Sequence, residues 1–457
     1  MKRILKYLSF LYFLILLTSL IFLFECKAQS LNNLSIFKSF NHSNFGLRLA
    51  LSSPPSAPKH ISGSGTSANP YVLYDAQDVD SIRYLGLNNK YYKLGNNISL
   101  SLIAEFIPIP FDNNSGTFSL DGQGFTLSGM KQSTAVYSST SGAYSLGMFM
   151  GKGSGDLIIK DLIIDSFKVQ FLSSVNQTGT YFCGSVLVAQ SSNNCGAKLT
   201  NITIRNSVLK FVGNPTSYPA QSYQGLLVGR FVAGKSANYS YIKNCLVEYD
   251  TIYYSTTFTP NSGHFIGGIV GQISGNYAYQ FEYNASRYNY FYSRTGSTLR
   301  TNCGGGLIGD VSSPASTFRY NYSHSNKSDF GNGGSPNNFP WGWGGIFGNT
   351  NSNNIHTYQQ NYAANNQCLG ANQSGGFYSE DNSTTTAQVI DSTLNFCDIT
   401  SFAEPNTVYG SVRLTASQHP APRTSEQLKD INTFIGWDFT NTWSIDSTKN
   451  NGYPYLK

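Results

Sequence analysis

The sequence predicts an all-β chain wound into a parallel β-helix solenoid, and three observations carry that prediction. A short apolar motif framed by glycines recurs as Gly147-Met-Phe-Met-Gly151, Ser185-Val-Leu-Val-Ala189, Gly225-Leu-Leu-Val-Gly229, Gly267-Gly-Ile-Val-Gly271, Gly305-Gly-Leu-Ile-Gly309, Gly344-Gly-Ile-Phe-Gly348 and Gly375-Gly-Phe-Tyr-Ser379. The intervals are 38, 40, 42, 38, 39 and 31 residues, a period that belongs to solenoids, propellers and arrays. Downstream of each copy, by 14 to 19 residues, stands an Asn or Asp: Asp161, Asn201, Asn244, Asn284, Asn321, Asn361 and Asp391. Between these marks the apolar runs are short, as at 157–164, and broken by Gly, Asn and Ser, so no major helix is expected.

Each mark has a structural job in stacked parallel turns. A side-chain amide repeated once per turn forms a ladder, bonding its neighbour and the backbone at a bend. The glycines either supply a positive φ at a corner or let neighbouring backbones approach closely. Five positions further on, Asn206, Asn289, Asn326 and Asn366 suggest a second, weaker ladder.

Before the repeats, Lys2, Arg3 and Lys6 precede an apolar run from Tyr7 to Phe24 and then Cys26-Lys-Ala28, the form of a signal peptide over residues 1–28. An uncleaved membrane anchor and lipidation at Cys26 are the rival readings, the second opposed by Glu25 where lipoprotein sites want a small residue. Residues 29–58 form a Ser/Pro/Asn-rich linker. The β-helix is expected over 59–415. Val79, Ile82 and Leu85 at helical spacing within 75–87 predict a short helix that lids its first turn. Residues 416–457 read as a second cap over the last turn, opening on Thr424-Ser-Glu-Gln427, a capping-box form, and rich in aromatics.

Composition narrows the function. Removing residues 1–28 takes four Lys or Arg and one Glu, so 30 basic and 24 acidic residues become 26 and 23. With no basic cluster to track phosphates, no nucleic-acid partner is expected. Gly229-Arg-Phe-Val-Ala-Gly-Lys-Ser236 matches the phosphate-loop pattern, but that loop needs a following helix, and Ala237 to Tyr241 leads into another β-like run, so no nucleotide is expected either. Export permits disulfides, and Cys183 with Cys195 is the closest pair in sequence. No C-x-x-C spacing points to zinc and no metal site is assigned.

Taken together, several segments resemble secreted bacterial proteins carrying GLUG repeats, found in adhesin-like surface proteins and beside some IgA-cleaving metallopeptidases. The resemblance covers nearly all of 61–457. It rests on Gly63-Ser-Gly-Thr66 with Asn69-Pro-Tyr71, on Leu120-Asp-Gly-Gln-Gly-Phe-Thr-Leu-Ser-Gly129, on the glycine motifs with their downstream Asn, and on the closing Trp437-Asp-Phe439, Trp443 and Asn451-Gly-Tyr-Pro-Tyr-Leu456. It implies a pectate-lyase-like, right-handed parallel β-helix. The copies at Ser185 and Gly375 depart from the pattern, and irregular turns are expected there.

The chemistry favours binding. No His-Glu-x-x-His or Gly-x-Ser-x-Gly occurs. A lyase on this scaffold would use Asp156, Asp161 and Asp165, or Glu248 and Asp250, to hold calcium, with Arg205, Lys160 or Arg287 as base. A glycosidase would pair two of the same acids. By contrast, 31 Tyr and 30 Phe exceed what one apolar stack needs. Tyr288, Tyr290, Trp341 and Trp343 stand in the densest clusters and are the candidate contacts for an extracellular glycan or protein. The expected function is therefore adhesion or surface binding without a cofactor, the alternative being a polysaccharide lyase or glycoside hydrolase, for which calcium would be the cofactor.

Overall fold

The computed structural model describes residues 61–457 other than 112–115, 134, 139–142, 174–180, 214–220, 234–239, 257–262, 296–301, 331–340, 351–355, 370–372, 382–392 and 399–419. The expected signal peptide and linker, Cys26 and Asp391 lie outside the described residues. Among the described residues no helix is long and apolar enough to cross a membrane.

The protein is a parallel β-solenoid. Its strands form a 23-stranded, a seven-stranded and an eight-stranded sheet, with a separate two-stranded pair near the C-terminus. One turn shows the pattern. Gly263–Gly267 lies in the eight-stranded sheet. Val270–Gly275, Tyr279–Glu282 and Ala285–Arg287 belong to the largest, and Tyr290–Thr295 to the seven-stranded one. Side chains alternate as a pleated strand requires: Phe291 and Ser293 are buried while Tyr290 and Tyr292 face outward.

The glycine motifs stack in register. Phe149, Val188, Val228, Val270, Ile308, Phe347 and Tyr378, each in one copy of the motif, pair from turn to turn. The Ser185 copy keeps this register; an irregularity falls instead between Lys152 and Ser154. Close approach, and not φ, explains the flanking glycines other than Gly147, whose φ is +153°. Gly225, Gly267, Gly271, Gly305 and Gly309 all have ordinary φ. A Cβ on Gly267 would land on the Val270 carbonyl oxygen and 2.7 Å from Gly309 N. The chain doubles back here so tightly that no side chain fits.

Two bends per turn are made by single residues in the left-handed region. The first bend holds Asp161, Asn201, Asn244, Tyr283, Tyr320 and Gln360; the second holds Ser166, Asn206, Tyr249, Tyr288, Ser325 and Asn365. The residue after each bend points inward. After the first bend, Asn284, Asn321, Asn361 and Asn395 form a continuous amide ladder. Asn321 Nδ2 donates to Phe281 O (2.9 Å) and Asn361 Oδ1 (2.9 Å), while its Oδ1 accepts from Asn284 N (2.9 Å) and Asn284 Nδ2 (3.1 Å).

Six of the seven expected ladder positions thus divide into two adjacent columns, Asp391 lying outside the described residues. Asp161, Asn201 and Asn244 occupy the bend itself, Asn284, Asn321 and Asn361 the buried ladder, and the last rung belongs to Asn395. Cys245 follows Asn244 and donates its N–H to Asn284 Oδ1 (3.0 Å), where the ladder begins. The second ladder is the longer one: Ser207, Asp250, Asn289, Asn326 and Asn366, with Asn206 again on the bend.

Asp250 is the exception within that ladder. Its Oδ1 accepts from Ser207 N (2.6 Å), but Oδ2 is buried without a partner. The next two amides up the ladder, Asn289 and Asn326, donate Nδ2 to Val247 O and Ser286 O, and the strand register places Ile204 O as the counterpart for Asp250. A neutral carboxylic acid imitates an amide at this place. Burial pushes the Asp250 carboxyl well above the usual carboxylate range, and Ser207 N–H offsets this only in part. Above the unfolded carboxylate pKa the folded state then binds more protons than the unfolded one, so stability falls as pH rises. Asp250→Asn is expected to raise stability by about 1–2 kcal/mol at pH 8, with the gain shrinking toward pH 4. Thermal melts of both proteins across that range check it; a difference independent of pH would count against a protonated Asp250.

The ends are closed in different ways. Helix α1, Ala76–Leu85, has Asp75 as N-cap accepting from Asp78 N, and buries Val79 and Ile82 in the main core. Arg83 anchors it by donating to Ile107 O (2.8 Å) and Pro108 O (3.3 Å). The C-terminal segment is not a plug over the last turn. Ala421–Arg423 forms the final strand of the stack. Beyond it Leu428, Phe434, Trp437, Trp443 and Tyr453 pack on the outward column Ala285, Tyr322, Tyr362, Phe396 and Ala421. The chain runs back along the side because that column is aromatic where neighbouring columns are polar.

Candidate functional site: a tyrosine-lined cleft beside the C-terminal segment

The short strands between the two bends, Leu246–Glu248, Ala285–Arg287 and Tyr322–His324, present two outward residues each. One gives the column buried by the C-terminal segment. That covering stops at Leu246, and an open cleft of about 680 Å³ remains. Its floor is Leu246, Ala285 and Tyr322. The bend residues Asn201, Asn244 and Tyr283 flank it on one side, Tyr249 and Tyr288 on the other, and Thr448–Asn451 with Tyr455–Lys457 close its end.

The second outward residue gives a column of alternating charge: Asp165, Arg205, Glu248, Arg287 and then His324. Arg205 Nε lies 2.7 Å from Asp165 Oδ2, and Arg287 Nη2 lies 2.8 Å from Glu248 Oε2. A parallel column across the first bend repeats the device. Lys160 reaches Asp121 (2.7 Å), and Glu282 sits between Lys243 (3.1 Å) and Arg319.

Four tyrosines occupy left-handed backbone here, Tyr249, Tyr283 and Tyr288 lining the cleft and Tyr320 following Tyr283 at the next turn of the same bend. For a bulky side chain that conformation is an outlier costing about 1–2 kcal/mol. Equivalent bends earlier in the stack use Asp161, Asn201, Asn206 and Asn244, the cheaper choices. Part of the cost is returned by stacking: Tyr249 on Tyr288 with centroids 5.1 Å apart and 9° between planes, and Tyr283 on Tyr320 at 4.6 Å and 18°. Tyr249 nevertheless stays 58% exposed.

The other expected site residues fall elsewhere. Trp343 is fully buried, packed 4.9 Å from Phe291 and 5.6 Å from Phe330, and cannot meet a ligand. It points inward because it alternates with outward positions on Trp341–Gly344. The Trp341 side chain lies outside the described residues. Tyr288 is in the cleft; Tyr290 is around the corner on the seven-stranded sheet. Cys183 and Cys195 are not joined to each other in a disulfide. Cys183 packs with Tyr223 and Cys303 in a satellite cluster, whereas Cys195 lies in the main core, because the glycine corner turns the chain between them. Burial pushes the Cys183 thiol up to about 12, with Arg230 pulling weakly the other way.

Of the residues of the enzymatic alternative, Lys160, Asp161, Asp165, Arg205, Glu248 and Arg287 are committed to ion pairs. The hydrogen bond to Asp121 raises the Lys160 pKa, which holds the side chain as an ammonium and works against its taking a proton as a general base. Burial acts to raise Asp165, but bonds from Ser166, Arg205 and Asn206 outweigh it and hold the carboxyl below its ordinary value, unsuited to a general acid. Gly229, the first glycine of the phosphate-loop pattern, sits in strand Val228–Ala233, where a Cβ would meet Ala189 O at 2.6 Å. Among the described residues no three of His, Cys, Asp and Glu converge as metal ligands. The tyrosine bends escaped sequence reasoning because that column mixes Asp, Asn, Tyr and Gln and so has no compositional signature.

No family model matches the chain, and no curated protein matches it. Among solved structures, the chain is similar to a crystal structure described as a "putative immunoglobulin A1 protease from Bacteroides ovatus", at 17% identity and a TM-score of 0.48, over 86% of this chain and 94% of that one. At this distance the likeness says nothing about activity.

Proposed function

We propose that the protein is an exported, surface-acting member of the GLUG-repeat group that binds a hydroxyl-rich glycan in the cleft beside its C-terminal segment, without a cofactor. The observation that carries this reading is the set of four tyrosines held in left-handed bends where Asn serves elsewhere in the same stack. Strain of that kind points from structure to function. The lining supports a sugar: the amides of Asn201, Asn244, Asn450 and Asn451 and the tyrosine hydroxyls both donate and accept.

The test uses Tyr288→Asn, which removes the ring and keeps a residue that tolerates the bend. Glycan-array binding followed by calorimetry is expected to show at least a ten-fold loss of affinity with an unchanged or slightly higher melting temperature. Unchanged affinity for the selected glycan would remove the cleft as its site.

A further inference from the structure

We propose a second binding surface, independent of the cleft: the outer face of the seven-stranded sheet, which takes an extended polysaccharide bearing carboxylate or sulfate groups. This sheet runs from Lys131–Gln132 through Lys168–Ser173, Val208–Gly213, Thr251–Thr256, Tyr290–Thr295 and Lys327–Phe330 to Gln367–Leu369. Its inward positions are buried, including Val169, Phe171, Leu209, Phe211, Ile252, Tyr254, Phe291 and Phe330. The outward ones carry Lys131, Lys168, Lys210, Arg294 and Lys327 against a single acid, Asp329, and Asp329 is engaged by Arg294 at 3.4 Å. A protein otherwise near neutrality therefore gathers unneutralised lysines on one flat face.

The aromatics of this face select the same kind of partner. Tyr253 and Tyr292 stack at 4.4 Å and 5°, with Lys210 Nζ 5.3 Å from the Tyr253 ring and Arg294 5.2 Å from the Tyr292 ring. Ring faces used against each other and against cations are not offered to the apolar face of a sugar. Solvent meets ring edges, which are the positive part of the quadrupole, and phenol hydroxyls, which donate. Lysines, ring edges and hydroxyls all favour anionic oxygen.

The geometry fits a polymer lying along the stack. In-register pairing links Lys131, Lys168, Val208, Thr251, Tyr290 and Lys327 in one column. With strands about 4.8 Å apart, Lys168 and Lys327 stand roughly 19 Å from each other. Lys210 lies between them in the next column, followed in register by Tyr253 and Tyr292. Cations held at fixed places along a rigid face match repeated charge better than a single anionic group.

The experiment measures retention and affinity of the full chain on heparin, polygalacturonate, neutral dextran and a single-stranded oligonucleotide of matched charge. Binding to one or both anionic polysaccharides, weakening steeply with added salt and absent on dextran, is the expected result. The double variant Lys168→Glu with Lys210→Glu should lose at least ten-fold, and Tyr288→Asn should lose nothing, so the failure of either site is told apart from that of the other. Because both lysines point outward, the melting temperature should hold; Lys168→Gln with Lys210→Gln gives the same reading if charge reversal disturbs folding. Retention by neither anionic polysaccharide, equal retention on dextran, an oligonucleotide bound as tightly as the polysaccharides, or full affinity in both double variants would each overturn the proposal.

Discussion

Gly267→Ala is expected to cost about 3 kcal/mol or more and to leave much of the protein unfolded at ordinary growth temperatures. The added methyl would occupy the place of the Val270 carbonyl oxygen and press on Gly309 N of the next turn, and both obstacles are backbone. Neither can move without opening the corner, and the corner is stacked in register with those above and below. Gly124 gives the contrast, since nothing lies within 4 Å of a Cβ there; its φ of +77° leaves only a backbone penalty of about 1 kcal/mol for Ala. Urea titrations of both variants check the ranking. Equal losses would mean that the corner has room.

Asn321→Leu is expected to cost about 2–4 kcal/mol, more than Asn244→Ala at about 1 kcal/mol. Asn321 is 1% exposed and uses all four bonding positions of its amide, so leucine takes the acceptor from Asn284 N and one bond each from Asn284 Nδ2, Phe281 O and Asn361 Oδ1. Asn244 faces solvent on the bend, and its replacement loses only a residue at ease with positive φ. Chemical denaturation of the two single variants separates ladder from bend. A reversed order would contradict the assignment of two columns.

The solenoid was legible because period survives noise: seven copies of one motif announce a stack even when one copy lacks both flanking glycines and another the closing one. The helix over Ala76–Leu85 was legible from its apolar spacing. The ladder was legible only to within one residue. Asn is favoured both in a left-handed bend and in a buried amide ladder, and the variable distance from the glycine motif hid the step from Asn244 to Asn284. Of the cleft only Tyr288 was legible, since the cleft exists where the C-terminal segment ceases to cover a column, and nothing local in the sequence marks where a returning chain stops. Trp343 misled for a related reason, because a large aromatic is as apt to fill the core as to meet a ligand, and a local cluster of aromatics does not say which.

The alternating column Asp165, Arg205, Glu248 and Arg287 constrains how such a chain can change its length. Deleting the turn that contributes Glu248 would seat Arg205 against Arg287, and deleting the one that contributes Arg205 would seat Asp165 against Glu248. Like charges facing across adjacent strands are unfavourable. Loss or duplication of two adjacent turns preserves the alternation where a change of one breaks it. Over this stretch the column works as a parity check, so that descendants of this sequence should grow or shrink here by even numbers of repeats.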